Sequence, residues 1–264
     1  MSPPDDKWLP STVVPDDITA ACFVHVVGTS VWVADAPADE SWRRHVVGVL
    51  EGIAWHAVDV PPDVDPSDGA ALDLFAYHGR AGESAWLAAG RAVQLVEWGR
   101  THRYCGRCGT PTEPSAGERA MRCPACGLLA FPRLAPAMIT LVTRGEDGPD
   151  QEALLARGVQ FRLPMYSCLA GFVEPGESLE GAVAREIREE VGVAVGDVRY
   201  RSSQPWPFPH SLMIGFRARH VAGELTPDPR EIVDAGWYRR DALPPIPPGI
   251  SIARKLIDEW VGEA

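Results

Sequence analysis

Apolar and polar positions along the chain fall into patterns of both periods. Cys22-Phe23-Val24-His25-Val26-Val27 and Val31-Trp32-Val33 are β-rich runs on either side of Gly28-Thr29-Ser30, and they predict a hairpin within a stretch of short strands over residues 20–60. Residues 61–70, PPDVDPSDGA, break the pattern and read as a loop. Over residues 83–99, Trp86, Ala89, Val93 and Val96 recur at helical spacing among good helix formers. Pro132 and Pro136 then mark a hinge, and Ala137-Met138-Ile139-Thr140-Leu141-Val142 opens a second α/β unit. Further on, Leu179, Val183, Ile187 and Val191 form one apolar stripe, with Ser178 as N-cap and Gly192 as the stop, which predicts a helix from Leu179 to about Val191. No repeat of 20–50 residues and no low-complexity tract interrupts this order.

The composition adds bounds. At 264 residues the chain has room for roughly two domains. Its 45% hydrophobic and 23% charged residues are those of a globular protein with a sizeable core. No run of 18 apolar residues exists, so no membrane-spanning helix is expected. The opening MSPPDDKWLPS has no basic or apolar leader region, and a cytoplasmic setting is the expectation. The net charge of −11 makes the chain a poor non-specific binder of nucleic acid or anionic lipid, so any such ligand needs a local site.

Four of the six cysteines read Cys105-x2-Cys108-x14-Cys123-x2-Cys126, the spacing of a tetrahedral zinc site. In CGRCG and CPACG a glycine follows the second cysteine, as a tight turn around a metal requires. The alternatives are two redox CxxC pairs or a ribbon that has lost its metal. A zinc held by four thiolates has no open position and is structural. Cys22 and Cys168 lie alone in apolar surroundings and read as small core residues. Across residues 99–133, Arg100, Arg103, Arg107, Arg119, Arg122 and Arg133 stand against only Glu113 and Glu118, a local basic patch of the kind a nucleic acid needs on an acidic chain.

The chemistry concentrates in residues 171–193, GFVEPGESLEGAVAREIREEVGV. Glu186, Glu189 and Glu190 stand at i, i+3 and i+4 of the predicted helix, where like charges repel. The plain reading is a solvated acidic face. The sharper one is a site for Mg²⁺, a hard ion that prefers carboxylate oxygens and bridges to phosphate. Arg185 is placed to reach back to Glu177 and lock the preceding loop to the helix.

This stretch resembles the Nudix box, matching it at Gly171, Glu177, Arg185, Glu186, Ile187, Glu189, Glu190, Gly192 and Val193. Downstream, Ser203-Gln204-Pro205-Trp206-Pro207-Phe208-Pro209-His210-Ser211 resembles the SQPWPFPxS signature of the NADH pyrophosphatase branch, which also carries a four-cysteine ribbon ahead of the catalytic domain. The resemblance implies an α/β fold: a Nudix α/β/α sandwich at 133–264, preceded by a zinc ribbon at 101–132 and an α+β N-terminal domain at 1–100. It implies metal-dependent hydrolysis of NAD(H) to nicotinamide mononucleotide and AMP, removal of NAD caps from RNA 5′ ends, two to three Mg²⁺ or Mn²⁺, one structural Zn²⁺, and a homodimer.

By matched positions, the resemblance places Glu190, Glu189 and Glu186 in catalysis. It gives the divalent ions to Glu186, Glu190, Glu231 and the backbone carbonyl of Ala170. Substrate contacts fall on Phe131, Gln204, Pro205, Trp206, Pro207, Phe208, Pro209, His210, Ser211 and Ala253. Phe131 stands where better-known members have Tyr. Phe172, inside the box, is a further stacking candidate. Two other readings stay open. One is another Nudix specificity such as ADP-ribose, for which Pro209 falls sixteen residues beyond Val193. The other is a zinc-ribbon binding protein with a dead Nudix unit, which predicts missing acidic residues in the box.

Overall fold

The computed structural model describes residues 8–64, 71–161 and 163–263. Residues 1–7 of the opening segment and 65–70 of the 61–70 loop lie outside the described residues. The chain divides into two compact units. One comprises Met1–Leu134 with Trp206–His210, the other Ala135–Pro205 with Ser211–Ala264.

In the first unit a six-stranded sheet runs in the order β1-β4-β5-β2-β3-β6. Its strands are β1 (Trp8–Pro10), β2 (Ala21–Val27), β3 (Ser30–Ala34), β4 (Arg44–Leu50), β5 (Ile53–Asp59) and β6 (Leu72–Asp73). The expected hairpin is β2–β3, closed by the Val27–Ser30 pair, so Ser30 already belongs to a strand. Gly28 takes φ +58 in the turn, a conformation side chains disfavour. Val24 and Val26 of β2 and Ala57 and Val58 of β5 are fully buried.

Helix α2 (Glu83–Thr101) covers the predicted helical stretch. Trp86, Ala89, Val93 and Val96 are all buried, together with Ala88, Ala92 and Leu95, so the helix is sunk well beyond one stripe. The preceding helix α1 (Leu74–Ala81) is not signalled by periodicity, because Leu74 is its one buried residue. Its local mark is Asp73, whose side chain caps Ala76 N at 2.9 Å. Short strands β7 (Glu113–Pro114), β8 (Met121–Arg122) and β9 (Leu129–Ala130) form a separate three-stranded sheet in the cysteine segment. Trp206–His210 packs on the two helices. Phe208 stacks on Phe75 with centroids 4.8 Å apart, Trp206 meets Phe75 and Trp86 edge-on, and Pro207 lies so close to Gly90 that a Cβ there would clash.

The second unit is a mixed sheet in the order β13-β14-β10-β11-β15, with β12 on β10. Its elements are β10 (Ala135–Arg144), β11 (Glu152–Gly158), β12 (Leu169–Phe172), α3 (Leu179–Val191), β13 (Ala194–Trp206), β14 (Ser211–Ala222), β15 (Ile232–Arg239) and α4 (Ile252–Val261). Alternation along the strands builds two cores. Met138, Val142, Leu154 and Ala156 pack with Val183, Ile187 and Val191 of α3. Ile139, Leu141, Ala153 and Leu155 pack with Leu256, Ile257 and Trp260 of α4. The result is an α/β/α sandwich.

The two units part between Leu134 and Ala135, within the span marked by Pro132 and Pro136, and Pro136 itself lies inside β10, opposite Leu212 of β14. A strand tolerates proline near its start, where one missing N–H costs little, and the Pro136 carbonyl still accepts from Val173 N at 3.1 Å. Cys168 is buried in the α4-side core, while Cys22 is only half-buried on β2. Burial pushes the two thiols up to about 12 and about 11.

Candidate active site

The first donor set is the ribbon. The sulfurs of Cys105, Cys108, Cys123 and Cys126 all lie within 4.8 Å of one another. The 105–126, 108–123 and 108–126 separations are 3.6, 3.5 and 3.7 Å. A tetrahedron with Zn–S bonds of about 2.3 Å has edges of about 3.8 Å, so the cage already has the size of a zinc site. Two copies of one turn build it. Gly109 N donates to Cys105 O and Cys105 N to Thr110 O, while Gly127 N donates to Cys123 O and Cys123 N to Leu128 O. Both glycines take φ +72. Arg107 N and Cys126 N point at the sulfurs of Cys105 and Cys123, each at 3.4 Å. A zinc held here would have four thiolate ligands and no open position, as a structural site requires.

The second set is on α3. Ser178 caps the helix by accepting from Gly181 N at 3.1 Å, and Gly192 ends it at φ +74. Arg185 ties the loop before the helix to the helix itself. Its Nε and Nη2 donate to the two oxygens of Glu177 at 2.8 and 2.9 Å, and Nη2 also donates to Phe172 O at 3.0 Å. The Arg185 guanidinium, followed by the Glu174 N–H, holds the Glu177 carboxyl down at about 2. Gly171 of β12 completes the local packing, since a Cβ there would run into the Glu186 carboxyl.

The three clustered glutamates are not equivalent. Glu189 is exposed and bonds Arg185 at 3.1 Å. Glu186 is largely covered, and burial raises its carboxyl despite an ion pair to Arg185 at 2.9 Å. Glu190 is 8% exposed, and its Oε2 has no hydrogen-bond partner. Burial first, then the charges of Glu186, Glu231 and Glu189, push it up to about 8. An unpaired buried carboxyl ringed by others is costly unless a cation or a proton neutralises it.

Glu231 is exposed on the loop before β15, close enough for its charge to act on both Glu186 and Glu190. Ala170 is exposed in β12, paired with Ile139. Among the described residues, these carboxylates do not converge as tightly as the four sulfurs. An open groove of about 360 Å³ lies beside α3, lined by Ala184, Arg185, Arg188, Glu189, Ala194 and Val195.

The expected substrate residues are dispersed. In the first unit, Phe131 is 55% exposed, while Trp206 and Phe208 are engaged with Phe75 and Pro207 is buried. Pro209 is exposed and His210 half-buried. In the second unit, Phe172 is 56% exposed, Pro205 exposed and Ser211 buried at the start of β14. The Gln204 amide is taken up within the fold, donating to Ile250 O at 2.7 Å and accepting from Ile252 N at 2.8 Å. Ala253 is buried in the α4-side core, where its carbonyl faces the Cys168 thiol. Of the six ribbon arginines, two are committed internally. Arg100 pairs with Asp59 at 2.6 Å, and Arg119 donates to the carbonyls of Val46 and Ser11.

Residues 133–260 match the NUDIX domain family, and residues 100–131 match the NADH pyrophosphatase zinc ribbon domain. The chain is 53% identical over 171 residues to a protein of Deinococcus radiodurans named NAD-capped RNA hydrolase NudC, covering 65% of this chain and 61% of that protein. It is 49% identical over 220 residues to a protein of the same name from Pseudomonas aeruginosa, covering 83% of this chain and 74% of that one. A third, from Pseudomonas syringae, is 52% identical over 220 residues, at 83% and 77% coverage. The chain belongs to the NUDIX hydrolases, in the branch that carries the NADH pyrophosphatase zinc ribbon.

Proposed function

We propose that the chain hydrolyses the pyrophosphate of NAD(H), giving nicotinamide mononucleotide and AMP, and that it removes NAD caps from RNA 5′ ends. The observation that carries the chemistry is the unpaired, buried Glu190 among Glu186, Glu189 and Glu231, on a helix whose entry loop Arg185 clamps to Glu177. The substrate class is supported by relatives about half identical to this chain and named for NAD-capped RNA.

The donor set is all oxygen, partly buried and short of positive charge, which fits Mg²⁺ or Mn²⁺. Glu186, Glu190, Glu231 and the Ala170 carbonyl are the residues that would hold two to three such ions. When bound, the ions offset the charge of the pyrophosphate and lower the pKa of water. The remaining work belongs to the chain. Arg185 fixes the loop against the helix, so that Glu186 and Glu190 keep their positions. A carboxylate of this cluster takes the proton of the attacking water; Glu190, as base or as ion donor, is the residue whose loss costs most, and Glu189 helps hold the cluster. Phe131 and Phe172 are open aromatic faces for a base or nicotinamide ring. Trp206 and Phe208, held by Phe75, define a stiff turn whose rim at Pro205, Pro209 and His210 offers further contact. Ser211, Gln204 and Ala253 enter through backbone atoms or through the shape they maintain.

The proposal extends to the domain limits 1–100, 101–132 and 133–264, to a homodimer, and to a cytoplasmic setting. Reducing conditions there keep the ribbon thiols available for zinc. No described helix is long and apolar enough to cross a membrane. Product analysis with NADH, NAD⁺, ADP-ribose and NAD-capped RNA, each with Mg²⁺ and with Mn²⁺, tests the reading. Nicotinamide mononucleotide and AMP are the expected products. A kcat/KM for ADP-ribose about tenfold above that for NADH and for capped RNA would overturn the substrate assignment.

A further inference from the structure

The turn that presents Glu231 is organised by one side chain outside the box. A helix leaves its last carbonyls without partners inside the helix. At the end of α3, Val191 O accepts from Thr226 N at 2.9 Å and Glu190 O from Asp228 N at 2.8 Å. The chain then folds over Asp228, whose carbonyl accepts from both Glu231 N at 3.1 Å and Ile232 N at 2.8 Å. Ile232 is buried and begins β15. Inside the turn, the Asp228 carboxylate accepts from Arg230 N at 2.9 Å, from Arg230 Nε at 3.0 Å on each oxygen, and from Arg230 Nη2 at 2.5 Å. On the far side, Glu231 O accepts from Val159 N at 2.8 Å. Asp228 thus has its N–H on Glu190, its carbonyl under Glu231, and its carboxylate closing the loop between them.

We propose that Asp228 is a positioning residue of the divalent-ion site: its carboxylate, closed on Arg230, holds the shape of the 228–231 turn that backbone bonds join to the end of α3, and so sets Glu231 against Glu186 and Glu190. The proposal rests on the reading of these three glutamates as metal donors. Both oxygens of Asp228 are engaged by Arg230. Without its carboxylate Glu231 stays in the chain but on a loosened turn; a partner bonded directly to a metal ligand is worth about 10–100-fold in affinity, and Asp228, acting through the turn, is expected at the low end of that range.

The test is an EPR titration of the full chain with Mn²⁺ alone, without substrate. Asp228→Ala is expected to weaken Mn²⁺ binding about tenfold or more, and Asp228→Asn, which keeps an acceptor for Arg230 N, only about threefold. The Mn²⁺ concentration for half-maximal NADH turnover should rise in parallel, while kcat at saturating Mn²⁺ falls by less. A purely structural role would lower the melting temperature of the metal-free protein and leave the Mn²⁺ affinity unmoved. Glu231→Gln serves as the reference. If it weakens Mn²⁺ binding while Asp228→Ala stays within about twofold of wild type, the positioning role is wrong and the donor reading stands. If Glu231→Gln also stays within twofold, the donor reading fails and takes the proposal with it. Should Asp228→Ala not fold, Arg230→Ala replaces it, since that side chain is 84% exposed. It is expected to weaken binding about threefold, and an unchanged affinity overturns the proposal.

Discussion

The ribbon and the acidic helix are both donor sets for divalent ions, built in opposite ways. In the ribbon, two backbone turns aim four sulfurs at one point, where they lie within 4.8 Å of one another. Around α3 the proposed donors come from a helix, a strand and a loop and lie further apart, with Glu190 pushed up to about 8 by burial and by its neighbours. This second arrangement is held by the fold and pays an electrostatic penalty until a cation arrives. A closed cage suits structure and an open, strained cluster suits catalysis.

The largest effect separating the two should come from the ribbon. Cys123 is fully buried, and Cys123→Ser is expected to release the zinc and unfold the segment, since structural zinc sites contribute about 10–16 kcal/mol to folding. Metal analysis by mass spectrometry and limited proteolysis of residues 100–131 check this. Retention of one zinc per chain with an intact ribbon would remove the contrast. Glu190→Gln should do the reverse, leaving zinc and fold in place while turnover with Mg²⁺ falls about 10²–10⁴-fold. A fall of less than about tenfold would show that Glu190 is neither base nor essential donor.

Arg185 probes the fold's grip on the acidic site. Its guanidinium touches Glu177, Glu186, Glu189 and the Phe172 carbonyl. Arg185→Ala should lower kcat/KM about 10–100-fold, with zinc content unchanged, because the loop and helix lose their common anchor. Arg185→Lys should recover little of it, since an ammonium cannot make the paired bonds to Glu177. Full activity in Arg185→Lys would reduce the clamp to a point charge.

The same contrast governs what the sequence disclosed. The ribbon was legible because its donors sit in two short motifs with their glycines, and the α3 stripe was legible because Ser178, Gly192 and the apolar spacing all agree. Helix α1 was not, because one buried leucine makes no stripe. The seating of Trp206–His210 on α1 and α2 depends on chain far away in sequence, and no local period records it. Pro132 and Pro136 bracketed the boundary between the units, but the place of Pro136 inside β10 was not legible, because proline near the start of a strand has the same sequence appearance as proline outside one. Among site residues, Glu186 and Glu190 were visible from helical spacing, whereas Glu231 came only from resemblance. The role of Asp228 needs the hydrogen bonds that join residues 226–228 to the helix end.

The smallest expected effect is also the one that reads the strain directly. Glu190 ionises near the ordinary carboxylate value of 4.5 when unfolded, and at about 8 in the metal-free fold. Between those values the folded chain binds more protons than the unfolded one, so this group's contribution to stability falls as pH rises from about 4.5 to about 8 and is level beyond. Added Mn²⁺ must displace that proton, so its affinity should rise with pH over the same window, by up to tenfold per unit. In a melting series without divalent ions, wild type should lose a few degrees relative to Glu190→Gln on going from pH 5 to pH 8. The ribbon, which lacks this carboxylate, should contribute equally to both curves. Parallel curves for the two proteins would mean that the acidic cluster holds no uncompensated charge, and the difference between the two metal sites would then reduce to ligand type alone.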